Sequence, residues 1–327
     1  MKKTLIALAV LAASTASMAQ VTLYGVADVS LAGSSDPGVG LSNKDFQLTS
    51  SNVLNNGNSR FGLRGTEDLG GGLKAMFNFE GGIVLGTGAG NTSGGNLFSR
   101  ASWVALEGGF GRLTFGRTLT TSFFSVASWE LTGTANYSVV ANQFGFGGQA
   151  GPRDSNVIKY DMKAGGFNAS ASFIPEANVG YGTAAAPKSK YDLAVGYAAG
   201  PLSASLGYNK VADGAEGTVL GGAYDFGGFK VAASYHNGKT GAGATTADGF
   251  SIGASVPMGP WTFTADVAND TKFKDTDWLL EAKYALSKRT FVYGAFMRDG
   301  KSDGRTKASN PLNKEVDGYA MGLRHNF

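Results

Sequence analysis

The sequence predicts an all-β fold, a 16-stranded antiparallel transmembrane β-barrel. Three observations predict it. Apolar and polar residues alternate with period two along most of the chain, which is the pattern of half-buried strands. Short turns and long connections alternate regularly, as in barrels that span a membrane. The chain contains 50 glycines, 8 prolines and no cysteine, a composition that fits a large closed fold stable without disulfides.

The first 19 residues have the organisation of a secretory signal peptide. Lys2 and Lys3 precede an apolar run, and small residues before Gln20 mark a cleavage site after Ala19. The alternative, a membrane anchor, is disfavoured because the run is well short of the roughly 20 residues that a spanning helix needs. We therefore expect a cleaved segment, 1–19, and a single barrel domain, 20–327. Without Lys2 and Lys3, 26 of the 28 basic residues remain against 25 acidic ones, a balance that does not suggest a nucleic-acid partner.

The alternation places charged residues inside strands and not only at their ends. In "VTLYGVADVSL", Leu23 and Val29 share one face while Asp28 lies on the other. In "DWLLEAKYAL", Leu280 and Glu281 are likewise on opposite faces. A charged side chain in the middle of a strand needs contact with water, so the face of the sheet that carries these charges must be solvated.

The connections between strands fall into two classes. Seven tight turns marked by glycine, proline or serine lie near 67–72, 108–111, 164–166, 199–201, 226–228, 257–260 and 286–289. Eight longer polar connections lie near 32–56, 84–96, 119–155, 176–189, 209–217, 237–248, 268–276 and 299–315. These fifteen connections join sixteen strands. The alternative, a secreted β-sandwich, would not usually alternate short and long connections so regularly over this length.

The last strand, "VDGYAMGLRHNF", has one apolar face formed by Tyr319, Met321, Leu323 and Phe327. Bilayer hydrocarbon does not tolerate an open sheet edge. We therefore expect this strand to pair with "VTLYGVADVSL" and close the barrel.

Several stretches resemble the trimeric general porins of Gram-negative outer membranes, in particular the beta-proteobacterial branch. They include "SRFGLRGTEDLGGGLKAMFNFE" (59–80), "LFSRASWVALEGGFGRLTFGR" (97–117), "RDSNVIKY" (153–160) and the terminal "MGLRHNF". The resemblance implies a water-filled channel in the cell outer membrane that lets small hydrophilic solutes and ions diffuse passively, without a cofactor. It also implies a homotrimer in contact with outer-membrane lipid and lipopolysaccharide, and a terminal Phe327 that the barrel-assembly machinery recognises.

The third long connection, 119–155, is too long for a simple hairpin. The resemblance implies that this loop, as in porins, folds into the barrel and narrows the pore. Glu130 is the only charged residue between 118 and 152, and the acidic "PEFGG"-like turn of many porins is missing. We expect Glu130 at the constriction.

The resemblance also implies an arginine ladder on the barrel wall, and Arg60, Arg100 and Arg153 match its positions. Arg64 shares the face of Arg60, and both should point into water, because a charge on the lipid face costs about 2–4 kcal/mol at mid-bilayer. For Arg100 the alternation leaves either face open, since apolar residues at 104 and 106 share its parity.

Lys159 is expected on the inner face, because its neighbours Ile158 and Tyr160 can face lipid. Basic groups then outnumber acidic ones at the constriction. Crowded positive charges in a narrow passage attract anions and repel cations, so the sequence predicts an anion-selective channel.

A barrel of this kind could also serve two other functions. An outer-membrane hydrolase needs an activated nucleophile or a carboxylate and histidine group, but His236 and His325 are far apart and lack such neighbours, and no metal-site spacing occurs. We therefore expect no enzymatic activity and no metal. An adhesin or anchor built on the long loops would predict a barrel too plugged to conduct.

Overall fold

The computed structural model describes residues 20–36, 46–91, 95–147, 151–177, 188–305 and 313–327. The predicted signal peptide, 1–19, lies outside these residues. The first nine strands are β1 (Gln20–Ser34), β2 (Gln47–Thr49), β3 (Arg60–Gly70), β4 (Leu73–Ile83), β5 (Gly90–Asn91), β6 (Ala101–Gly108), β7 (Gly111–Leu119), β8 (Arg153–Ala164) and β9 (Phe167–Ala177). The others are β10 (Lys188–Ala199), β11 (Leu202–Val211), β12 (Glu216–Asp225), β13 (Lys230–Lys239), β14 (Thr245–Met258), β15 (Trp261–Asp270), β16 (Asp275–Ala285), β17 (Thr290–Asp299) and β18 (Val316–Asn326).

The strands form one closed antiparallel sheet. Among the described residues, β2 and β5 are short additions of 3 and 2 residues, and the other sixteen strands have 8 to 15 residues each. Each long strand pairs with the next long strand, and β1 pairs with β18. The predicted 16-stranded antiparallel barrel is confirmed.

Closure joins the two ends of the described barrel. Val26 lies opposite Asn326 in the β1–β18 register. Beyond it, the Phe327 amide donates to the Gly25 carbonyl at 3.1 Å, and the Gly25 amide donates to the Phe327 carbonyl at 3.0 Å. The ring of Phe327 covers Gly25, where a Cβ atom would lie 2.3 Å from the ring. Glycine at position 25 therefore lets the terminal aromatic ring lie flat on the seam.

The apolar face of the sheet is the exposed one and the polar face is the buried one, the reverse of a water-soluble protein. Leu280 exposes 52% of its surface while its neighbour Glu281 exposes 3%. On β8, Ile158 and Tyr160 are exposed and Lys159 is buried. Apolar side chains thus point away from the barrel, toward lipid, and charged side chains line its interior, as predicted.

The predicted turns are confirmed, but three of the predicted long connections are too long. The segments expected at 209–217, 237–248 and 268–276 shrink to residues 212–215, 240–244 and 271–274. The strands continue into polar sequence because side chains such as Asn209 and Asp270 are accommodated on the polar inner face. Loss of apolar character in a barrel strand therefore does not mark its end.

The third long connection contains two short helices, α1 (Thr121–Ala127) and α2 (Val139–Phe144). Thr120 and Ser138 cap them by accepting hydrogen bonds from the amides of Phe123 and Ala141. Side chains of this connection contact the inner face of the barrel from β9 to β17. Within the described residues, neither helix is long and apolar enough to cross a membrane.

Candidate pore constriction

Three predicted arginines converge at one level of the barrel. Arg60 and Arg153 are the first residues of β3 and β8, and Arg100 immediately precedes β6. These strands lie close together in the sheet, and all three begin at the end of the barrel with the long connections. The three side chains line one cavity of about 450 Å³.

Glu80 on β4 joins two of these arginines. Its carboxylate lies 2.8 Å from Arg100 Nε and 3.5 Å from Arg60 Nε. It also accepts a hydrogen bond of 2.9 Å from the Tyr24 hydroxyl. Glu80 was not among the predicted site residues, although its alternation with Phe77 and Phe79 places it on the inner face.

Arg100 lies on the same side of the sheet as Glu80, whose carboxylate its Nε contacts. The regular strand begins after it, at Ala101, so the parity of residues 104 and 106 does not extend to Arg100. Its carbonyl accepts a hydrogen bond of 2.9 Å from Arg153 Nε. Arg60, Arg100 and Arg153 are close enough for their positive charges to repel one another.

A fourth arginine, Arg324 on β18, lines the same cavity. Its Nη1 donates to Asn56 Oδ1 at 2.7 Å, and its charge also repels Arg60. Arg324 alternates with Leu323 along the last strand, which gives it the polar face, but nothing in the sequence connects it with Arg60. Barrel closure brings it beside Arg60, because β18 pairs with β1 and β1 pairs with β3.

Lys159 lies beside this cavity. It lines an adjoining space of about 210 Å³ that shares Glu80, Arg100 and Arg153 with the first. Its Nζ lies 3.2 Å from Asp161 Oδ1 and 4.2 Å from the centre of the Phe124 ring. Asp161 therefore offsets part of its charge.

Arg64 lies at a different level. It lines a third space, of about 840 Å³, toward the short-turn end of the barrel. Four residues along a strand separate it from Arg60, about 13 Å at the usual rise. Its guanidinium lies over the Tyr24 ring at 4.9 Å. The structure thus places Arg64 in the part of the lumen near the short turns and not in the cavity lined by Arg60, Arg100 and Arg153.

Glu130 is buried within the third connection. Its carboxylate accepts hydrogen bonds from the Thr132 amide at 3.0 Å, the Thr132 hydroxyl at 2.6 Å and the Ser138 hydroxyl at 2.7 Å, as well as from the Thr134 amide. Among the described residues it forms no ion pair with an arginine. Its observed contacts organise the connection, while Glu80 is the acid that faces the arginines.

The third connection is fixed to strands β10 and β16 by polar contacts. The Ser122 hydroxyl donates to Asp192 at 2.6 Å, and the Tyr137 hydroxyl donates to Glu281 at 2.6 Å. Burial, reinforced by the negative charge of Glu281, raises the pKa of the Tyr137 hydroxyl well above its ordinary value. Tyr137 therefore remains a hydrogen-bond donor to Glu281.

Comparison with known proteins identifies the family. The sequence model of the Gram-negative porins matches residues 4–304. The chain belongs to the Gram-negative porin family. It is 35% identical over its whole length to the whole of outer membrane porin protein 32 of Delftia acidovorans. An outer membrane porin protein of Bordetella pertussis is 30% identical, over 98% of this chain and 94% of its own.

A solved structure supports the same assignment. The porin matches an anion-selective porin from Comamonas acidovorans with a TM-score of 0.76 and 27% identity, over 95% of this chain and all of the other. The protein is thus an outer-membrane channel of the porin family and not an enzyme.

The histidines of the porin do not form a catalytic group. His236 Nε2 lies 2.9 Å from Ser234 Oγ, but the side chain is fully buried. Its ring stacks on Phe144 of α2 at 4.4 Å. A solute in the lumen cannot reach this pair, so His236 packs the third connection against the wall. No cluster of residues suited to a metal ion occurs in the described parts of the chain.

Proposed function

We propose that this porin is an anion-selective channel whose preference arises at the cluster of Arg60, Arg100 and Arg153, assisted by Lys159. The observation that carries the proposal is the composition of the 450 Å³ cavity. Among the described residues, arginines are four of its lining residues and Glu80 is the single acid. A permeating anion would be attracted at this level and a cation repelled.

The magnitude of this effect is large enough to decide selectivity. One unit charge about 4 Å from a permeating ion contributes about 1 kcal/mol in a water-like dielectric. That corresponds to roughly a fivefold change, for each arginine, in how often an ion of one sign occupies this level. Partial exclusion of water increases the effect, and salt screens it, over about 10 Å at 0.1 M.

The third connection supplies the size limit in this proposal. Its contacts with Asp192 and Glu281 on distant strands are those expected of a loop folded across the lumen. Thr134 and Asn136 of this connection line the arginine cavity. Solutes would pass between this loop and the arginine wall. Glu130 would act there indirectly, by holding the loop in shape.

The named selectivity of a relative supports the proposal. The Comamonas acidovorans protein is described as anion-selective. The present chain shares its fold over almost the whole length, which supports the same preference here.

Export and assembly complete the proposal. The segment 1–19 would be removed on export, and the domain 20–327 would assemble as a homotrimer in contact with outer-membrane lipid and lipopolysaccharide. Phe327, with Tyr319, Met321 and Leu323 on the outer face of β18, would be recognised by the barrel-assembly machinery.

The deciding experiment is the zero-current potential of the purified protein in a planar bilayer under a potassium chloride gradient. We expect the sign set by chloride. The double variant Arg60→Gln, Arg153→Gln should shift the potential toward cation permeability, while Arg289→Gln, at an exposed turn, should not. An unchanged potential in the double variant would refute the role of the cluster. A protein that folds but does not conduct would favour an anchor or adhesin.

A further inference from the structure

Part of the first long connection, residues 52–58, is fixed against the inner wall of the barrel. We call it the inner segment. Leu54 and Asn55 are fully buried in it. The Asn55 side-chain amide donates to Asp28 Oδ1 at 3.1 Å, and the Gly57 amide donates to Asp28 Oδ2 at 2.9 Å. The Tyr293 hydroxyl also donates to Asp28, at 2.7 Å. One buried carboxylate on β1 thus anchors the segment.

The inner segment contacts two arginines of the cluster directly. Arg60 Nη1 donates to the Asn58 carbonyl at 2.9 Å, and Arg324 Nη1 donates to Asn56 Oδ1 at 2.7 Å. Between these contacts, a Cβ atom on Gly57 would lie 2.8 Å from Arg324 Nη1 and 3.9 Å from Arg60 Nη1. The backbone at Gly57 therefore lies directly beneath the guanidinium of Arg324.

The same segment contacts the third connection. The Asn136 side-chain amide donates to Asn58 Oδ1 at 2.7 Å and to the Asn52 carbonyl at 2.8 Å. The Asn56 side-chain amide donates to the Tyr137 hydroxyl at 2.7 Å. The inner segment therefore links the third connection to the arginines.

We infer that the inner segment is a second constriction element, which sets the bore of the channel and positions Arg324 as a fourth selectivity residue. The part of the inference that concerns selectivity rests on the proposed function. The part that concerns the bore does not.

The chemistry of the segment explains how it serves this role. It presents neutral amide and carbonyl oxygens to Arg60 and Arg324, and these accept hydrogen bonds without cancelling positive charge. Glu80, in contrast, holds Arg60 and Arg100 with a negative charge. Each guanidinium has five N–H donors, so the contacts of Arg324 with Asn56 and, at 3.3 Å, with Asn326 Oδ1 leave donors available to a passing anion. The segment orients charge without neutralising it.

The first test is the variant Gly57→Ala. Gly57 does not have a positive φ, so alanine fits the backbone, and the nearest obstacle is the flexible end of Arg324. We expect a folded channel with a lower single-channel conductance and a zero-current potential shifted toward cation permeability, by about twofold in permeability ratio. The matched control is Gly86→Ala in the second long connection, where a Cβ would meet nothing within 4 Å. If Gly57→Ala behaves like Gly86→Ala in both measurements, the inference is wrong.

The two readouts separate this inference from the proposed function. A wild-type potential near zero would remove the proposed anion selectivity, yet a change in conductance in Gly57→Ala would still support the inner segment as a constriction element. A chloride-selective wild type with an unchanged Gly57→Ala variant would keep the proposed function and overturn the inference.

A second measurement does not depend on repacking at Gly57. The chain has no cysteine, so Asn58→Cys introduces a single thiol at the edge of the cavity. Reaction with 2-sulfonatoethyl methanethiosulfonate should reduce the current and the anion preference. The control, Ala242→Cys in the exposed connection between β13 and β14, should react without changing the current. Complete modification of Asn58→Cys, verified by mass, with unchanged current would contradict the inference, as would a thiol that does not react.

Discussion

The indole ring of Trp129 covers the backbone of Gly221 so closely that a Cβ atom at position 221 would lie 2.2 Å from the ring. Trp129 belongs to the third connection and Gly221 to the middle of β12. The indole Nε1 also donates to Ser205 Oγ at 3.1 Å. The wall of the barrel is thus shaped at Gly221 to receive the loop.

The variant Gly221→Ala should displace Trp129 and with it the third connection. Overpacking of this kind costs about 1–3 kcal/mol, so we expect a lower thermal stability in detergent and an altered single-channel conductance. The control is Gly294→Ala in β17, where the nearest atom to a new Cβ is 4.0 Å away. Equal conductance in both variants would show that Trp129 does not determine the position of the loop.

Replacement of Glu80 by glutamine should strengthen the preference for anions. Glutamine preserves the shape and an oxygen for the Arg100 contact but removes the negative charge that Glu80 contributes, the only one among the described residues of the cavity lining. One charge at about 4 Å is worth about 1 kcal/mol in water-like surroundings, so the permeability ratio should rise several-fold. The zero-current potential measures it.

The control for this variant is Glu67→Gln, on the other parity of β3 from Arg60 and Arg64 and outside the arginine cavity. It removes the same charge and should leave the potential unchanged. An equal effect of both substitutions would mean that overall charge, and not the constriction, sets selectivity.

Replacement of Phe327 by alanine should distinguish closure of the barrel from its recognition by the assembly machinery. The two backbone hydrogen bonds between Phe327 and Gly25 do not need the ring, so the variant should fold in detergent into a closed, conducting barrel. In cells, the amount of folded protein in the outer membrane should fall, because the assembly machinery would lose its signal. Phe226→Ala, at an exposed turn, is the matched control. Normal amounts of Phe327→Ala in the membrane would argue against the signal.

The Tyr137 hydroxyl should make stability depend on pH in alkaline solution. Its pKa is raised in the folded protein, chiefly by burial. The resulting stabilisation is complete below the ordinary tyrosine pKa of about 10 and is lost as pH rises above it. We expect the variant Tyr137→Phe to be less stable than wild type at pH 8, by about 1.5–3 kcal/mol for a hydrogen bond to a charged group. The difference should shrink above pH 10.

Thermal unfolding in detergent at several pH values measures this effect. Tyr208→Phe is the control, because Tyr208 contacts Glu216 at 3.2 Å from a more exposed position. A constant difference between wild type and Tyr137→Phe across this pH range would contradict the assignment.

The barrel follows from the alternation pattern of the chain. Alternation along strands such as β16, where Leu280 faces lipid and Glu281 faces the lumen, depends on the local period of the chain and on the contrast between hydrocarbon and water. Those constraints act on each strand separately, so strand number and closure could be predicted. Strand ends could not, because a wet lumen lets polar residues remain inside strands.

The assembly of the constriction depends on contacts between distant parts of the chain. Arg324 lies 264 residues from Arg60 in sequence and meets it through closure of the sheet. Asn56 reaches Tyr137 and Arg324 only because residues 52–58 fold against Asp28. The direction of Arg100 was fixed by the point where the regular strand begins. These contacts join loops and strands that are remote in sequence. Neither the periodicity nor the composition of the chain can predict which distant residues come into contact.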